Sequence, residues 1–286
     1  MTVAAVFVTY NPDPEGLSSS LQSILDQVDF CIVVDNGSNR KLELSCHSKA
    51  TLVPLERNFG IAYAQNVGVN LSLSRGCSHI LLSDQDTFFP PDFVASMTAN
   101  MLRFGDAGVA AYTPIFFDSI KGSLAPVMVT KSRATQPEAD RIYSISHAIS
   151  SATIIPVKMF QRVGLFNEAL FIDFVDNEWC WRAKRLGFRI LSFPSVVVRH
   201  SLGEATKRFV GRSMTTRSIF RYYYIFRNGF YLLRTNLLDF FEKVAFLRFL
   251  AVRFVALNVL EKLTLRERWK LCGAIFGGCR KRLKEY

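Results

Sequence analysis

The sequence predicts an α/β fold in which a mostly parallel central sheet is covered by helices on both faces. Continuous apolar runs of strand length alternate with helix-length segments through roughly the first ninety residues, which is the pattern of strands buried on both sides of a parallel sheet. The composition allows a full core, because 49% of the 286 residues are hydrophobic and 21% are charged.

Two β-α-β units account for this first part of the chain. Their predicted strands cover residues 3–9, 30–34, 51–55 and 80–83, and their predicted helices cover residues 16–27 and 62–73. Polar segments with glycine end these runs, as in Asp35-Asn36-Gly37-Ser38 after the second strand. Ligands of such sheets bind beyond the carboxyl ends of the strands, so we expect a site at that edge.

The next part of the chain is predicted to complete the sheet and its helices. The predicted elements are a helix at 91–104, a strand at 109–117, a mobile loop at 121–141, a strand at 150–157, a short helix at 158–166, a helix at 176–186 and strands at 188–193 and 195–198. Asp176 is interpreted as a helix N-cap. Glu178 and Arg182, four residues apart, are expected to pair on the surface of that helix.

After about residue 205 the composition changes. Two further helices are predicted at 217–234 and 237–262, both rich in Phe, Leu, Tyr and Arg. Residues 199–286 hold 19 Lys and Arg against 6 Asp and Glu, whereas residues 1–198 hold 16 against 18. Helices at a bilayer interface have this composition, and so do helices packed on their own domain. The basic excess indicates an anionic partner, which is lipid, polyphosphate or nucleic acid.

A cytoplasmic protein is predicted, because the sequence shows neither a signal peptide nor a transmembrane helix. The chain runs from Met1 directly into an apolar strand with no basic segment before it, so no signal peptide is predicted. No apolar stretch of about 20 residues is free of charge, so no transmembrane helix is predicted. The six cysteines show no Cys-x-x-Cys pair and are interpreted as reduced thiols.

Ser83-Asp84-Gln85-Asp86-Thr87 is the segment around which a function is predicted. Residues i and i+2 of an extended chain point the same way, so Asp84 and Asp86 are expected to face one point. A divalent cation that carries a diphosphate takes one or two carboxylates and completes its octahedron with phosphate oxygens and water. The alternative is an ordinary turn or helix N-cap, where Asp is common.

Five short motifs in this order resemble the inverting, nucleotide-sugar-dependent glycosyltransferases of family 2, which have the GT-A fold. The motifs are Phe7-Val8-Thr9-Tyr10-Asn11, Val33-Val34-Asp35-Asn36-Gly37-Ser38, Asn58-Phe59-Gly60-Ile61-Ala62, Ser83-Asp84-Gln85-Asp86 and Val175-Asp176-Asn177-Glu178-Trp179. Within that family, three segments most resemble bacterial rhamnosyltransferases of surface-polysaccharide assembly: Ser83-Asp84-Gln85-Asp86-Thr87, Phe171-Ile172-Asp173-Phe174-Val175-Asp176-Asn177-Glu178-Trp179-Cys180 and Tyr222-Tyr223-Tyr224-Ile225-Phe226-Arg227-Asn228. The resemblance covers residues 1–205 and implies a Rossmann-like GT-A catalytic domain at 1–204. Its nucleotide-binding half is placed at about 1–95 and its acceptor half at 96–204, followed by a basic, membrane-associating helical extension at 205–286.

The resemblance implies a set of residues that bind the donor nucleotide sugar. These are Thr9, Asn11, Asp35, Arg57, Asn58, Gly60, Asp84, Gln85 and Arg227. Asp35 is expected to accept the N3–H of a pyrimidine, with an Asx turn as the alternative. Arg227 is expected to clamp the diphosphate, with a surface arginine as the alternative.

The metal implied by the resemblance is Mg²⁺ or Mn²⁺. Its expected ligands are Asp84, Asp86 and His200. Asp84 is expected either to contact the metal through a water molecule or to bind the ribose. The cation would neutralise the charge on the departing nucleoside diphosphate. A structural or solvated imidazole is the alternative for His200.

Asp176 is the general base that the resemblance implies. Inversion requires a carboxylate within hydrogen-bond reach of the acceptor hydroxyl, and Asp173 competes for this role. The family usually has Glu-Asp where this chain has Val175-Asp176, so a neighbour that could tune the pKa of the base is missing. Trp179 and Trp181 are expected either to line the acceptor site or to belong to the core.

The implied activity is inverting transfer of L-rhamnose from dTDP-L-rhamnose to a hydroxyl of a polyprenyl-diphosphate-linked glycan, in O-antigen-type lipopolysaccharide biosynthesis. The enzyme would be peripheral on the inner face of the bacterial cell membrane, and a homodimer is compatible with the sequence. Alternative donors are UDP-galactose and GDP-mannose, and a nucleotidyltransferase is a further alternative. A nucleic-acid-binding protein is disfavoured, because strand-end acids repel phosphate when no metal is present.

Overall fold

The computed structural model describes residues 1–44, 48–105, 107–118, 122–129, 134–200, 206–209, 212–215, 217–261 and 263–280. For residues 200, 206–209 and 212–215 it describes the backbone alone.

A ten-stranded mixed sheet forms the centre of the described chain. Its strands are β1 (Val3–Thr9), β2 (Phe30–Asp35), β3 (Ala50–Pro54), β4 (His79–Asp84), β5 (Thr87–Phe88), β6 (Val109–Asp118), β7 (Ser123–Leu124), β8 (Tyr143–Ile145), β9 (Thr153–Pro156) and β10 (Arg189–His200). The order is β3-β2-β1-β4-β9-β6-β10-β5, with β7 paired to β6 and β8 to β10. The longest ladders, β1–β2, β1–β4, β2–β3 and β6–β10, are parallel. A separate hairpin pairs β11 (Thr206–Phe209) with β12 (Arg212–Thr215).

Eight helices accompany the sheet in the described residues. They are α1 (Pro14–Leu25), α2 (Ile61–Ser74), α3 (Phe93–Phe104), α4 (Val157–Val163), α5 (Val175–Arg185), α6 (Ile219–Leu233), α7 (Phe240–Leu260) and α8 (Leu265–Cys279). Helices α7 and α8 both begin at capping boxes, which fix where they start because each satisfies two backbone N–H groups reciprocally.

Helices cover both faces of the sheet. On one face the apolar sides of α1 and α3 pack through Leu21, Ile24 and Met97. On the other face α2, α4 and α5 pack through residues that include Val69 and Trp179. Burying each such side chain contributes about 1.5–3 kcal/mol. The α/β fold with a mostly parallel sheet and helices on both faces is therefore confirmed.

Two of the predicted regions need correction. Residues 188–193 and 195–198 belong to one strand, β10, whose pairing with β6 shifts between Phe193 and Val197, next to Pro194, which has no N–H to donate. In its described part, residues 122–129 and 134–141, the expected loop is partly bound to the sheet, because β7 pairs with β6 and Val129 bridges to Ile145 of β8. Helix α8 and the β11–β12 hairpin were not predicted.

The C-terminal helices pack on one another and on the sheet domain. Leu250 of α7 lies against Gly229 of α6, and Gly278 of α8 lies against the α6 backbone at Arg227. The ring of Phe246 in α7 contacts both Phe174 and Trp181. The alternative of helices packed on their own domain therefore holds for the inner faces of α6 and α7. No described helix is long and apolar enough to cross a membrane.

Candidate active site

The carboxyl edge of the sheet brings three of the predicted side chains together. Parallel pairing of β1 places Thr9 opposite Asp35, and Val8 opposite Asp84. Thr9 and Asp35 are buried, and Asp84 is half-buried. The strand ends therefore form the polar edge that the sequence predicts.

Asp35 sits in a local turn and keeps one oxygen for another partner. Its Oδ1 accepts hydrogen bonds from the Ser38 hydroxyl, from the Ser38 N–H at 3.4 Å and from the Thr9 hydroxyl at 3.4 Å. Oδ2 has no hydrogen bond to any described residue. The Asx-type turn is therefore present. Recognition of the pyrimidine N3–H by the remaining oxygen stays a prediction.

The neighbouring loops are held by amide side chains. Asn58 Oδ1 accepts from Asn36 Nδ2 at 3.1 Å and from the Gly60 N–H at 2.9 Å. Asn11 Oδ1 accepts from the Asn39 N–H at 2.8 Å. These contacts shape the rim of the edge. Arg57 is exposed there, with its guanidinium 4.7 Å from the centre of the Phe59 ring.

Asp84 and Asp86 are not two residues of one extended strand. Asp84 ends β4, and Gln85 and Asp86 form a turn before β5. The expectation that strand alternation points both acids to one side is therefore wrong, although both remain beside the sheet edge. Gln85 Oε1 accepts the Tyr10 N–H at 2.8 Å, which ties this turn to the end of β1. Asp86 is exposed.

Asp176 lies in the first turn of α5 but does not cap it. The cap position belongs to Phe174, which has left-handed backbone angles of φ 64° and ψ 11°. The N-cap interpretation of Asp176 is therefore wrong. Its Oδ1 accepts the Asn177 N–H at 2.8 Å, and the side chain borders a small cleft with Leu82, Ser150 and others.

The pKa of Asp176 is raised from 3.8 to about 6. Burial is the largest cause, because it disfavours the charged carboxylate. The N–H of Asn177 opposes this shift, and the negative charges of Asp84 and Asp173 add to it. Asp84 at the sheet edge and Asp176 on α5 therefore belong to one electrostatic site.

The segment before Asp176 has an unusual backbone. Phe171, Asp173 and Phe174 all have positive φ, between 63° and 66°, and residues other than glycine rarely adopt this conformation. Such a conformation costs about 1–3 kcal/mol per residue and persists only where the surrounding structure imposes it. Contacts from distant parts of the chain must therefore hold residues 169–174, which we call the strained loop.

Asn228 of α6 provides most of that restraint. Its Nδ2 lies 2.8 Å from the Leu170 carbonyl, 2.9 Å from that of Ile172 and 3.0 Å from that of Asp173. From the other side, the Ile61 N–H at the start of α2 donates to the Phe171 carbonyl at 2.7 Å. The strained loop is thus fixed between α2 and α6.

Gly60 permits the contact with α2. Its φ is +91°, and a Cβ there would lie 2.6 Å from the Phe171 carbonyl oxygen. The small residue predicted at this position therefore allows close approach to another backbone segment. Donor binding through Gly60 stays a prediction.

Arg227 does not line an open diphosphate site in the described structure. It is 1% exposed, and its Nη2 donates to the carbonyls of Ala169 and Leu170 at 2.7 and 2.9 Å. Its guanidinium stacks on Tyr224, whose ring also stacks on Phe171. Both earlier interpretations, a diphosphate clamp and a surface arginine, are replaced by a role in holding the strained loop.

Asp173 is engaged by Arg221 in a two-pronged ion pair. Arg221 Nη2 and Nε lie 2.6 and 3.1 Å from the two oxygens of Asp173. Both oxygens of Asp173 are therefore already engaged by charge-assisted hydrogen bonds from one guanidinium. Of the two candidates for the base, the geometry favours Asp176.

Glu178, Trp179 and Trp181 are all buried. Glu178 pairs with Arg182 at 2.7 Å but is only 5% exposed, so the pairing is confirmed and the surface location is wrong. Trp179 is buried and donates to the Gly164 carbonyl, although its edge borders the cleft at Asp176. Trp181 is buried against Phe246.

The residues at the sheet edge fit a divalent cation bound together with a diphosphate. Asp84 and Asp86 offer hard carboxylate oxygens, and Mg²⁺ or Mn²⁺ sites of this kind need only one or two protein carboxylates. The negative charge of Asp84 also raises the pKa of Asp176, so the site holds negative charge that a bound cation would offset. No group of three or more metal-ligating side chains occurs in the described residues, and the side chain of His200 lies outside them.

Sequence reasoning did not identify Arg221 and Asn228 as site residues. A signal was available, because charged and amide residues within the aromatic run Tyr222-Tyr223-Tyr224-Ile225-Phe226 and its flanks are costly to bury without specific partners. Which carbonyls they bind could not be read from the sequence, because the contacts span 48 to 58 residues.

Comparisons with known proteins agree with this geometry. The family model "Glycosyl transferase family 2" matches residues 5–164. The "dTDP-rhamnosyl transferase RfbF" of Shigella flexneri is 34% identical over 241 residues, which is 82% of this chain and 80% of that protein. A low-salt glycan biosynthesis hexosyltransferase of Haloferax volcanii is 24% identical over 80% of this chain and 74% of that protein.

Solved structures share the fold at low sequence identity. TarS of S. aureus in complex with UDP-GlcNAc has a TM-score of 0.58 at 16% identity, covering 99% of this chain and 83% of that one. GalNAc-T7, solved with UDP, GalNAc and Mn²⁺, has a TM-score of 0.56 at 13% identity, covering 86% of this chain and 53% of that one. The family match and the RfbF relative together show that this chain belongs to glycosyltransferase family 2.

Proposed function

We propose that this enzyme transfers L-rhamnose, with inversion, from dTDP-L-rhamnose to a hydroxyl of a glycan linked to polyprenyl diphosphate. The family supports glycosyl transfer, and the 34% identity to RfbF over most of both chains supports the donor. One feature of the site carries the mechanism: Asp176 has a pKa raised to about 6 and is coupled to Asp84 at the sheet edge.

Asp176 acts as the general base. The acceptor hydroxyl oxygen attacks the anomeric carbon, the bond from that carbon to the diphosphate oxygen breaks, and the hydroxyl proton passes to Asp176. A base with a pKa near the working pH combines a large deprotonated fraction with a strong tendency to take the proton. Asp173 does not compete, because Arg221 holds both of its oxygens.

The donor nucleotide is assigned to the sheet edge. Oδ2 of Asp35 would accept the pyrimidine N3–H, and Thr9, Asn11, Arg57, Asn58 and Gln85 would surround the nucleoside. Asp84 and Asp86 would hold Mg²⁺ or Mn²⁺, which when bound supplies positive charge against the diphosphate.

A direct test measures release of the matching nucleoside diphosphate (dTDP, UDP or GDP) by purified enzyme supplied with dTDP-L-rhamnose, UDP-galactose or GDP-mannose and a lipid-diphosphate acceptor. We expect turnover with dTDP-L-rhamnose and its loss on removal of divalent metal. Turnover with another donor alone would overturn the sugar assignment. Release of inorganic diphosphate from a nucleoside triphosphate and a sugar 1-phosphate, with no turnover of any nucleotide sugar, would indicate a nucleotidyltransferase.

The outer face of α7 supports a position on the membrane surface. Its exposed residues are largely apolar and follow helical spacing, with Phe241 81%, Val244 53%, Val255 52% and Val259 67% exposed. Arg248 is the charged residue on that face. Exposed apolar side chains beside basic ones fit an anionic bilayer better than a second copy of this chain, which would bring like charges together.

Helix α8 repeats this arrangement. Leu265, Trp269 and Phe276 are exposed on one face, flanked by the exposed Arg266 and Arg280. Tryptophan favours the bilayer interface, and each basic residue near an anionic leaflet contributes about 1 kcal/mol. These features support our proposal that the enzyme works beside its lipid-linked acceptor on the inner face of the bacterial membrane, in surface-polysaccharide (O-antigen) synthesis.

Flotation with vesicles containing anionic lipid tests this placement. We expect intact enzyme to float, and Phe241→Ser combined with Trp269→Ser to remain in solution. Leu102 on α3 is 80% exposed and provides a matched control, because Leu102→Ser removes an exposed apolar side chain elsewhere. Equal flotation of all three proteins would overturn membrane docking through α7 and α8.

A further inference from the structure

Arg253 on the inner face of α7 is a buried cation whose hydrogen-bonding capacity is unmet. Its Nε and Nη1 are buried, and neither has a hydrogen-bond partner among the described residues. The side chain as a whole is half-buried, so part of it is accessible. The mechanism above gives this residue no task.

The position of Arg253 places it next to the strained loop. Its guanidinium lies 4.9 Å from the centre of the Phe249 ring, and that ring contacts Phe174 at 6.4 Å between ring centres. Phe174 lies between Asp173 and Asp176 in the chain. Arg253 is thus one aromatic layer away from the segment that carries the base.

The electrostatic surroundings do not compensate this charge fully. Burial lowers the pKa of Arg253, and the positive charge of Arg221 lowers it further, while Tyr222 and Asp173 act in the opposite direction. Asp173 is already held by both prongs of Arg221. A buried charge without hydrogen bonds is unfavourable, and such groups usually find a partner in the protein or in a ligand.

We propose that Arg253, with Arg221 beside it, forms an anion subsite that accepts a diphosphate next to the acceptor side of the active site. A guanidinium matches phosphate oxygens in pairs. Two ligands of the proposed function carry a diphosphate, namely the lipid-linked acceptor and the donor nucleotide. The identity of these two ligands rests on the proposed function, whereas the existence of the subsite does not.

Thermal unfolding of the full chain with inorganic pyrophosphate, in the absence of divalent metal, tests the subsite by itself. A ligand of the folded state raises Tm by mass action. We expect pyrophosphate to raise the Tm of the wild type, and Arg253→Met to abolish that rise. Arg253→Met should also have a higher Tm than the wild type without ligand, because it removes an uncompensated buried charge.

Arg248→Met is the matched control. It makes the same change on the exposed face of the same helix and should leave both the Tm and the pyrophosphate response unchanged. Arg253→Gln, which keeps a polar side chain, serves if the methionine variant does not fold. A pyrophosphate response that persists in the Arg253 variant, or that is absent from the wild type, would overturn the subsite.

Steady-state kinetics then distinguish the two sources. An increase of about tenfold in the KM for the lipid-diphosphate acceptor, with the donor KM unchanged, assigns the subsite to the acceptor. The reverse pattern assigns it to the donor. If both KM values stay at their wild-type levels, the subsite has no role in turnover and the proposal fails. Lack of turnover by the wild type with any nucleotide sugar would instead count against the proposed function.

Discussion

The two sides of the candidate active site are built in different ways. At the sheet edge, Thr9, Asp35 and Asp84 are placed by the parallel pairing of three adjacent strands. On the other side, Asp176 follows the strained loop, which is held by α6 from more than fifty residues away. The sheet edge is thus a consequence of the fold, whereas the position of the proposed base depends on a few specific hydrogen bonds.

This difference gives the C-terminal helices a proposed part in positioning the base as well as in the proposed membrane contact. Arg221, Arg227 and Asn228 all lie on α6, and each binds the strained loop. A boundary near residue 204 therefore separates the base from the side chains that position it. Variants that affect one side and spare the other can test this division.

Asp176→Asn should have the largest effect on activity. Asparagine keeps an oxygen to accept the Asn177 N–H but cannot take the acceptor proton, so we expect kcat to fall by about 10²–10⁴. Donor affinity should not change, because the sheet edge is untouched. The measurement is kcat together with donor binding, and Asp140→Asn, at an exposed carboxylate, is the control. A loss of less than tenfold would remove Asp176 from the role of base.

Asn228→Ala should have the second-largest effect on activity, because it leaves three carbonyls of the strained loop without their donor. We expect a loss of about 2–4 kcal/mol in unfolding free energy and about a hundredfold loss in kcat, with donor affinity retained. Denaturant unfolding and kinetics measure the two effects.

Asn258→Ala is a matched control on α7, where the amide donates to one carbonyl of its own helix. It should cost about 1 kcal/mol or less and leave kcat unchanged. Equal effects of the two alanine variants would show that the Asn228 contacts have no special part in positioning the base.

Comparison of Gly60→Ala with Gly76→Ala should separate the steric effect of an added Cβ on Phe171 from the cost of a positive φ. Both Gly60 and Gly76 have positive φ, but a Cβ at Gly60 would collide with Phe171, whereas nothing lies within 4 Å at Gly76. We expect Gly76→Ala to cost about 1 kcal/mol and Gly60→Ala about 2 kcal/mol more, with a fall in kcat. Urea unfolding of both variants is the measurement. Equal destabilisation would mean that α2 does not restrain the strained loop.

Asp35→Asn should have the smallest effect on stability. The amide oxygen can still accept from Ser38 and Thr9, so unfolding free energy should change by less than about 1 kcal/mol. The donor KM should rise about tenfold while kcat stays within a few-fold, because one contact to the nucleoside base is altered. An unchanged donor KM would leave Asp35 with only its Asx-type turn.

The sequence was informative wherever local patterns determine structure. The strands that end at Thr9, Asp35 and Asp84 follow from apolar runs closed by polar residues, and their shared edge follows from parallel pairing. The family motifs added Asp176. By contrast, the roles of Arg227 and Asn228 depend on tertiary contacts that no local pattern encodes. The prediction that Asp84 and Asp86 point the same way was wrong because Gln85 and Asp86 form a turn, and side chains alternate only while the chain stays extended.

The pH dependence of stability tests the central claim, that folding places Asp176 where its charge is unfavourable. Its folded pKa of about 6 exceeds its ordinary value of 3.8, so the native state holds this proton more tightly than the unfolded state does. Stability due to this group is therefore present at low pH and is lost as pH rises from about 4 to about 6.

The measurement is unfolding free energy from pH 4 to pH 8, without metal, for wild type and Asp176→Asn. We expect the variant to be more stable by about 2–3 kcal/mol at pH 7.5, with the difference shrinking towards zero near pH 4. A variant that is no more stable than wild type at pH 7.5, or a difference that does not vary with pH, would contradict the account.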